Sequence, residues 1–539
     1  MSSGRPRTLV RAALKDSRRL TLAAGLILTT VITLAAWLYA SPPGSSPDDG
    51  YHLGSIWCAG GYHPDRCLEA VGVGNPDFAL APAVLSQLPC VGGDGRRPAA
   101  CINEVYEQLD GQFRPIPANL TGTRASLYYR AANLLVTDDT AAAIARIRVM
   151  NAAVALLLVA MTAGLAPPDV RRATLAAWLV GSVPLGLFLL TSLNSTAWGL
   201  AGLGTFWANA LTMLRPGNRY RRAFAGLLAA VGMTMALGAR TEAGAHLVVM
   251  VLAIAALSTT DVGWPMRGRD WSRRHVIGVV AGASAALMGL TLVARYAALP
   301  YLLGSFSGLE RGWERLVARG ISNPLLTLAA ETPQLWTGAL GTWSLGWLDT
   351  NLPSTVSVSG TLSFVALAAF GLVGASRGRS ASVIIVLTGM LVLPVVSLMS
   401  SGLIVLEQLQ PRHYLPLLYI LLGLALVRSP GQLALHLGRG ARISIAAALS
   451  VGHAVALTIN INRYTRGLTE FLYIDSSREV EWWWGGLAPS PELVWLAGSL
   501  SFAIGAFLVL GLFKAPRLGA SVVNLDEAGS RATPPSARP

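Results

Sequence analysis

The sequence predicts an all-α polytopic membrane protein of about 12 transmembrane helices, with a long, disulfide-stapled first outer loop. Three observations carry that prediction. The 539 residues are 53% hydrophobic and only 13% charged. Apolar runs of roughly 16–22 residues recur between short polar stretches, the length that a hydrocarbon core of about 30 Å requires. All four cysteines, Cys58, Cys67, Cys90 and Cys101, fall in one polar segment.

In lipid, every backbone polar group must be bonded within the protein, so the runs read as helices. They begin near Leu20, Met150, Thr174, Thr196, Phe224, Ala243, Val276, Gly360, Ala381, Tyr414, Ile443 and Val494. The first, 20–40, reads as a retained anchor. Its roughly 20 apolar residues exceed a usual signal-peptide core, although Leu38-Tyr39-Ala40 is a passable cleavage site. Helices two to seven fill 149–299, and eight to twelve fill 360–513.

Orientation follows from the basic residues. Arg5, Arg7, Arg11, Lys15, Arg18 and Arg19 hold segment 1–19 in the cytoplasm. Alternation then puts Arg171-Arg172, Arg215 with Arg219 to Arg222, Arg267 to Arg274, Arg377 with Arg379, and Arg439 with Arg442 on that same side. Both termini are expected inside; the high Ala, Gly and Arg content suggests a GC-rich bacterium, so the membrane is expected to be a bacterial plasma membrane. The net charge of +14 is therefore mostly a topology signal with some attraction to anionic lipid. Nucleic acid is not an expected partner, since no basic stripe with interleaved aromatics is present. The tail 514–539, rich in Pro, Ala, Ser and Arg, is expected to be disordered.

Three segments are expected outside: 41–148, 300–359 and 462–492. They hold most of the 28 acidic residues. Cysteines confined to one such loop fit an oxidising compartment. Three pairings are possible; Cys58–Cys67 with Cys90–Cys101 is favoured because each closes a short loop. A zinc site competes, but the spacings are not of the short C-x₂-C type.

Pro47-Asp48-Asp49-Gly50-Tyr51-His52 follows the first helix at the outer mouth. It supports two compatible readings. In one, Ser46 is an N-cap, Pro47 opens a short helix, and Asp49 completes a capping box. In the other, Asp48 and Asp49 are catalytic or hold a metal at the bilayer surface. A sugar-transfer acceptor needs a carboxylate to take its proton. A divalent cation, Mg or Mn, held by Asp48 and Asp49 could neutralise a leaving phosphate. His52 is one helical turn from both acids and could face them.

An acidic pair directly after the first transmembrane helix, with a large first outer loop, resembles the GT-C superfamily of lipid-linked-sugar glycosyltransferases. Asp48-Asp49-Gly50-Tyr51 is similar to the Asp-Asp motif of actinobacterial envelope arabinosyltransferases. A closer resemblance is to the uncharacterised bacterial membrane family domain of unknown function 2142, with its Pro-Asp-Glu-x-x-His after the first helix. Its later outer-loop stretch is matched by Gly346-Trp347-Leu348-Asp349-Thr350-Asn351-Leu352-Pro353. Its late Arg-Tyr-x-x-Pro is matched by Arg412-His413-Tyr414-Leu415-Pro416. Two departures are Asp49 in place of Glu, which shortens the reach, and His413 inserted after Arg412.

The resemblance implies a GT-C-like fold. It also implies transfer of a sugar from a polyprenyl-phosphate donor to an envelope glycan or lipid acceptor on the outer face. Asp48 is then the candidate base or metal ligand, with Asp49 its partner. Asp349 is a candidate substrate contact, or a turn-former before Pro353. Arg412 is a candidate phosphate clamp, or a snorkelling interfacial residue. Arg240 and Glu242, in a tight outer turn, read as an ion pair first and a site edge second. Trp482-Trp483-Trp484 reads as part of an aromatic belt, or as a stacking surface. A transporter or polymerisation protein for lipid-linked glycans, or a non-catalytic assembly protein, would share the same acidic mouth.

Overall fold

The computed structural model describes residues 5–515 except 71–76, 93, 121–125, 216, 262–307, 406, 408, 429–431, 468–479, 481–482 and 485–488. Helices form where the apolar runs fall. The chain runs α1 (Arg5–Ala40), a cap segment, α6 (Thr140–Leu165), α7 (Pro168–Gly181), α8 (Leu185–Leu190), α9 (Thr196–Leu214), α10 (Arg219–Leu237) and α11 (Ala243–Asp261). Three short helices follow: α12 (Leu309–Ala318), α13 (Pro324–Glu331) and α14 (Pro333–Thr337). Then come α15 (Ser354–Leu372), α16 (Arg377–Ser401), α17 (Pro411–Leu426), α18 (Arg439–Arg466) and α19 (Pro491–Gly511). The run near Val276 and the tail beyond 515 lie outside the described residues.

Six helices among the described residues are long and apolar enough to cross a membrane: Arg19–Ala40, Thr140–Leu165, Ser354–Leu372, Arg377–Ser401, Arg439–Arg466 and Pro491–Gly511. The run near Thr174 is not one continuous helix. Pro184 has no N–H to donate and its ring crowds the preceding turn, and α7 gives way there to the short α8. Pro394 inside α16 likewise leaves the Met390 carbonyl without its intrahelical donor. The Trp336 indole N–H donates to that carbonyl at 3.3 Å instead.

Packing separates lipid-type from protein-type faces. Leu362, Ile384, Leu500 and Phe507 are exposed on the outside of the bundle. By contrast, α17 is buried on every side from Tyr414 to Leu426, as an all-apolar helix must be when neighbours surround it. Helices α9 and α10 cross closely at Gly202 and Gly232. A Cβ on Gly202 would stand 2.3 Å from the Gly232 carbonyl oxygen, so only glycine allows the backbones this near.

The expectation of an all-α chain is corrected in the segment after α1. That segment folds as a cap holding α2 (Asp49–Trp57), α3 (Ala83–Gln87), α4 (Cys101–Leu109) and α5 (Ser126–Asn133). With them goes an antiparallel sheet, β1 (Leu68–Glu69), β2 (Phe78–Pro82) and β3 (Phe113–Pro117), in the order β1-β2-β3. In β2, burial alternates residue by residue, the strand period, with Ala79 and Ala81 pointing inward. Two disulfides, Cys58–Cys67 and Cys90–Cys101, close the short loops that spacing favours.

Candidate functional site on the cap

The acidic mouth is positioned from beneath by two buried side chains. Arg148 on α6 donates to the carbonyls of Leu38 at 2.9 Å, Ser41 at 2.6 Å and Thr191 at 2.8 Å. It thereby answers carbonyls left open at the end of α1. Asn194 donates to the Pro47 carbonyl at 3.1 Å. Between them the chain from α1 to the acids has little freedom.

The two acids point different ways. Asp48 takes a left-handed backbone, φ 65°, which Asp tolerates better than most residues. Its carboxylate is 57% exposed. Asp49 is 2% exposed and reaches back to accept from the Ser46 N–H at 3.1 Å. The expectation that Ser46 caps the helix with Pro47 in its first turn is corrected. The helix begins at Asp49, and Asp48, the residue before it, makes no capping bond. What remains of the capping box is its returning half, from Asp49 to Ser46. Burial pushes the Asp49 carboxyl up to about 7, beyond what the Ser46 bond and Arg148 offset. Its Oδ1 is buried without a partner among the described residues.

His52 does not face the acids through its ring. It is buried on the inner side of α2, with Nδ1 2.8 Å from the Tyr129 hydroxyl on α5. Burial, with Arg412 and Arg240 nearby, pushes the imidazole down to about 3 against the pull of Asp48. It is neutral at ordinary pH and acts as a strut between α2 and α5.

The second stretch is a tight loop closed by Leu345 and Thr350, each donating its N–H to the other's carbonyl. The loop needs left-handed backbones at Gly346, φ 62°, and Leu348, φ 63°. Glycine is required at 346 for a second reason: a Cβ would stand 2.7 Å from the Tyr464 hydroxyl and 2.8 Å from Asp349 Oδ1. The Trp347 indole donates to the Gly44 carbonyl at 2.8 Å, tying this loop to the acidic mouth. Asp349 turns the other way, to Arg463 on α18 at 2.7 Å.

The third stretch opens α17, with Pro411 at its first position. Arg412 Nη2 donates to Asp48 Oδ2 at 2.7 Å across 364 residues of sequence. The guanidinium is 7% exposed, so it is not a snorkelling side chain. Its Nε and Nη1 are buried and have no partner among the described residues.

Parts of all three stretches meet in one cleft. Pro47, Gly346, Leu348, Gln410 and Arg412 line it with Phe188 of α8. It holds about 340 Å³ of atom-free space, open mouth included. Asp48, Arg412 and the 346–348 loop thus come together; Asp49, His52 and Asp349 face inward to the protein. Arg240 and Glu242 pair with each other at 2.7 Å. Burial pushes the Glu242 carboxyl up, but Arg240, His413 and His246 outweigh it and hold it well below the usual carboxylate range.

The diverging carboxylates do not present a shared pair of ligands for a metal. Among the described residues no group of three His, Cys, Asp or Glu side chains could hold an ion. The aromatic-belt expectation is corrected at Trp483, which is 6% exposed and packs edge-on to Tyr464. Trp484 donates to the Tyr39 carbonyl at 2.9 Å. Trp482 lies outside the described residues.

Sequence reasoning missed Arg148, Asn194, Tyr129 and Arg463. A charged residue inside an apolar run was the available signal for Arg148 and Arg463. Asn194 carries no local signal of this role.

The sequence profile of a family described as "Predicted membrane protein (DUF2142)" matches residues 31–421. The matched span contains the acidic mouth, the 346–353 stretch and the opening of α17. Searches of curated proteins and of solved structures find no match.

Proposed function

The chain belongs to the membrane-protein family DUF2142, and from its cap cleft we propose that it is a glycosyltransferase of the GT-C type. In this reading it crosses a bacterial plasma membrane about twelve times, with both termini cytoplasmic and the cap outside. It moves a sugar from a polyprenyl-phosphate donor to an envelope glycan or lipid.

The observation that carries the proposal is the Arg412 guanidinium. It is buried at the mouth of a cleft with two of its three nitrogens, Nε and Nη1, unanswered among the described residues and the third on an exposed carboxylate. A buried, unsatisfied cationic fork suits a phosphate, which can accept two parallel hydrogen bonds from it.

The chemistry follows from the pair. The acceptor hydroxyl oxygen forms a bond to the anomeric carbon. The bond from that carbon to the phosphate oxygen breaks, and its electron pair leaves on the phosphate, where Arg412 neutralises the growing charge. Asp48 takes the hydroxyl proton. Phosphate binding also draws Arg412 toward its new partner, leaving Asp48 for the acceptor.

The interruptions on either side of α8, with the buried polar residue Ser182 before it and Thr191 and Ser192 after it, favour the alternative of a transporter for lipid-linked glycans. Broken helices mark substrate sites in many transporters.

The two are separated by offering labelled polyprenyl-phosphate arabinose and mannose to membranes carrying the parent, Asp48→Asn, Asp49→Asn or Arg412→Lys at equal expression. Transfer by the parent, lost in Asp48→Asn and Arg412→Lys and kept in Asp49→Asn, supports the enzyme. Absence of transfer from either donor, with labelled carrier crossing vesicles, supports the transporter.

A further inference from the structure

The end of the bundle opposite the cap holds a second cavity, of about 700 Å³ of atom-free space. Helix α17 connects the two ends: Arg412 stands in its first turn, and Arg428 lies just past its last residue. Three guanidiniums line this cavity, from Arg172, Arg215 and Arg428, against one carboxylate, Asp169.

None of the three is fully committed. Arg215 is 8% exposed; its Nη2 meets Asp169 at 3.0 Å and the Arg428 carbonyl at 2.9 Å. Its Nε is buried with no partner among the described residues. Arg428 Nη1 donates to the Val373 carbonyl at 3.1 Å, and its Nε is likewise unanswered. Arg172 has no hydrogen-bond or ion-pair partner among the described residues. Gln432 adds one neutral polar group, and the rest of the wall is apolar, with Leu426, Leu435 and Phe513 its largest side chains.

From the buried, unanswered Arg215 Nε and this excess of guanidiniums we infer that the cavity is a phosphate-group site. A single acid against three cations leaves a positive hollow that an anion completes, and basic pockets between membrane helices bind phospholipid headgroups. The apolar wall suits the acyl chain attached to such a headgroup, so the occupant is an anionic phospholipid; a free phosphate would satisfy only the arginines.

The test uses the delipidated full chain in detergent and native mass spectrometry. Phosphatidylglycerol, phosphatidylcholine and inorganic phosphate are each titrated, together with Arg172→Gln and Arg428→Gln. Arg172→Gln removes a charge that pairs with nothing among the described residues, so it separates binding from folding. Arg412→Gln serves to exclude the cap cleft as the site of retention.

The expected result is selective retention of phosphatidylglycerol. It weakens roughly tenfold in Arg172→Gln and Arg428→Gln, about the effect of one charge-assisted contact, and is unchanged in Arg412→Gln. Retention of inorganic phosphate with the same arginine dependence would keep the phosphate site and reassign its source. Equal retention of phosphatidylcholine, retention lost only in Arg412→Gln, or no effect of either arginine at this end overturns the inference.

Discussion

The fully buried guanidinium of Arg463 lies 2.7 Å from the carboxylate of Asp349 through Nη2, which also reaches the Val91 carbonyl at 2.7 Å, while Nη1 donates to the Arg97 carbonyl at 2.8 Å. One side chain on α18 therefore clamps the Cys90–Cys101 loop of the cap to the 346–350 loop. The same 346–350 loop, through Trp347 and Gly44, holds the acidic mouth. The cleft's shape depends on this chain of contacts, although Arg463 lies beyond the family match.

Arg463→Ala leaves a buried carboxylate unpaired and backbone carbonyls unanswered. Breaking such a pair from one side costs about 3–5 kcal/mol. A large fall in thermal midpoint is expected, with a smaller one for Asp349→Asn, which removes the charge but keeps the shape. Equal midpoints for parent and Arg463→Ala would count against the clamp.

Asp48→Asn should lower transfer by roughly 10²–10⁴-fold, the usual contribution of a general base. Expression and thermal midpoint should hardly change, because the carboxylate is 57% exposed. Asp49→Ala should do the reverse. It strips the Ser46 N–H of its acceptor, at about 1–3 kcal/mol, while leaving the cleft's exposed acid in place. Paired assays of transfer and melting distinguish the two.

Asp49 also sets a pH dependence. Its folded value, about 7, lies above the ordinary aspartate value of 3.8, so between these the folded state holds more protons than the unfolded one. The stability tied to this group is full below the unfolded value and is lost as pH rises through about 7. The loss saturates at no more than about 4 kcal/mol. Melting of the parent should therefore show a component that declines from pH 5 to 8. Asp49→Asn, which keeps an acceptor for Ser46 but cannot ionise, should lack that component.

The disulfides span separations of 9 and 11 residues. Loops of that length are worth about 2.5–3 kcal/mol each on the chain-entropy estimate. Reduction should lower the melting temperature, and non-reducing peptide maps should link Cys58 with Cys67 and Cys90 with Cys101. Replacing Cys90 and Cys101 together should impair transfer more than replacing Cys58 and Cys67, because the second loop carries the carbonyls that Arg463 grips.

Much of this was legible because it rests on local physics. Runs of apolar residues have one low-energy state in hydrocarbon, so among the described residues helices stand where the runs fall, with the run near Thr174 broken in two. Cysteines nine and eleven apart close short loops at little entropic cost, so their pairing could be read from spacing. The strand in the cap was overlooked because Phe78-Ala79-Leu80-Ala81-Pro82 is too short for its alternation to stand out before β1 and β3 pair with it.

The sequence by itself determined a helical membrane protein with a stapled polar cap, and showed that Asp48, Asp49 and Arg412 were unusual in their surroundings. Tertiary structure alone decided which of them meet. Asp48 and Arg412 are 364 residues apart in the chain and 2.7 Å apart in space; Asp48 and Asp49 are adjacent in the chain, yet one carboxylate is exposed beside Arg412 and the other is buried against the Ser46 N–H. Asp48, on a left-handed backbone, brings one carboxylate to Arg412 at the cleft, and the Ser46 N–H holds the other inward. Such choices are made by long-range packing, which no local pattern of residue types encodes.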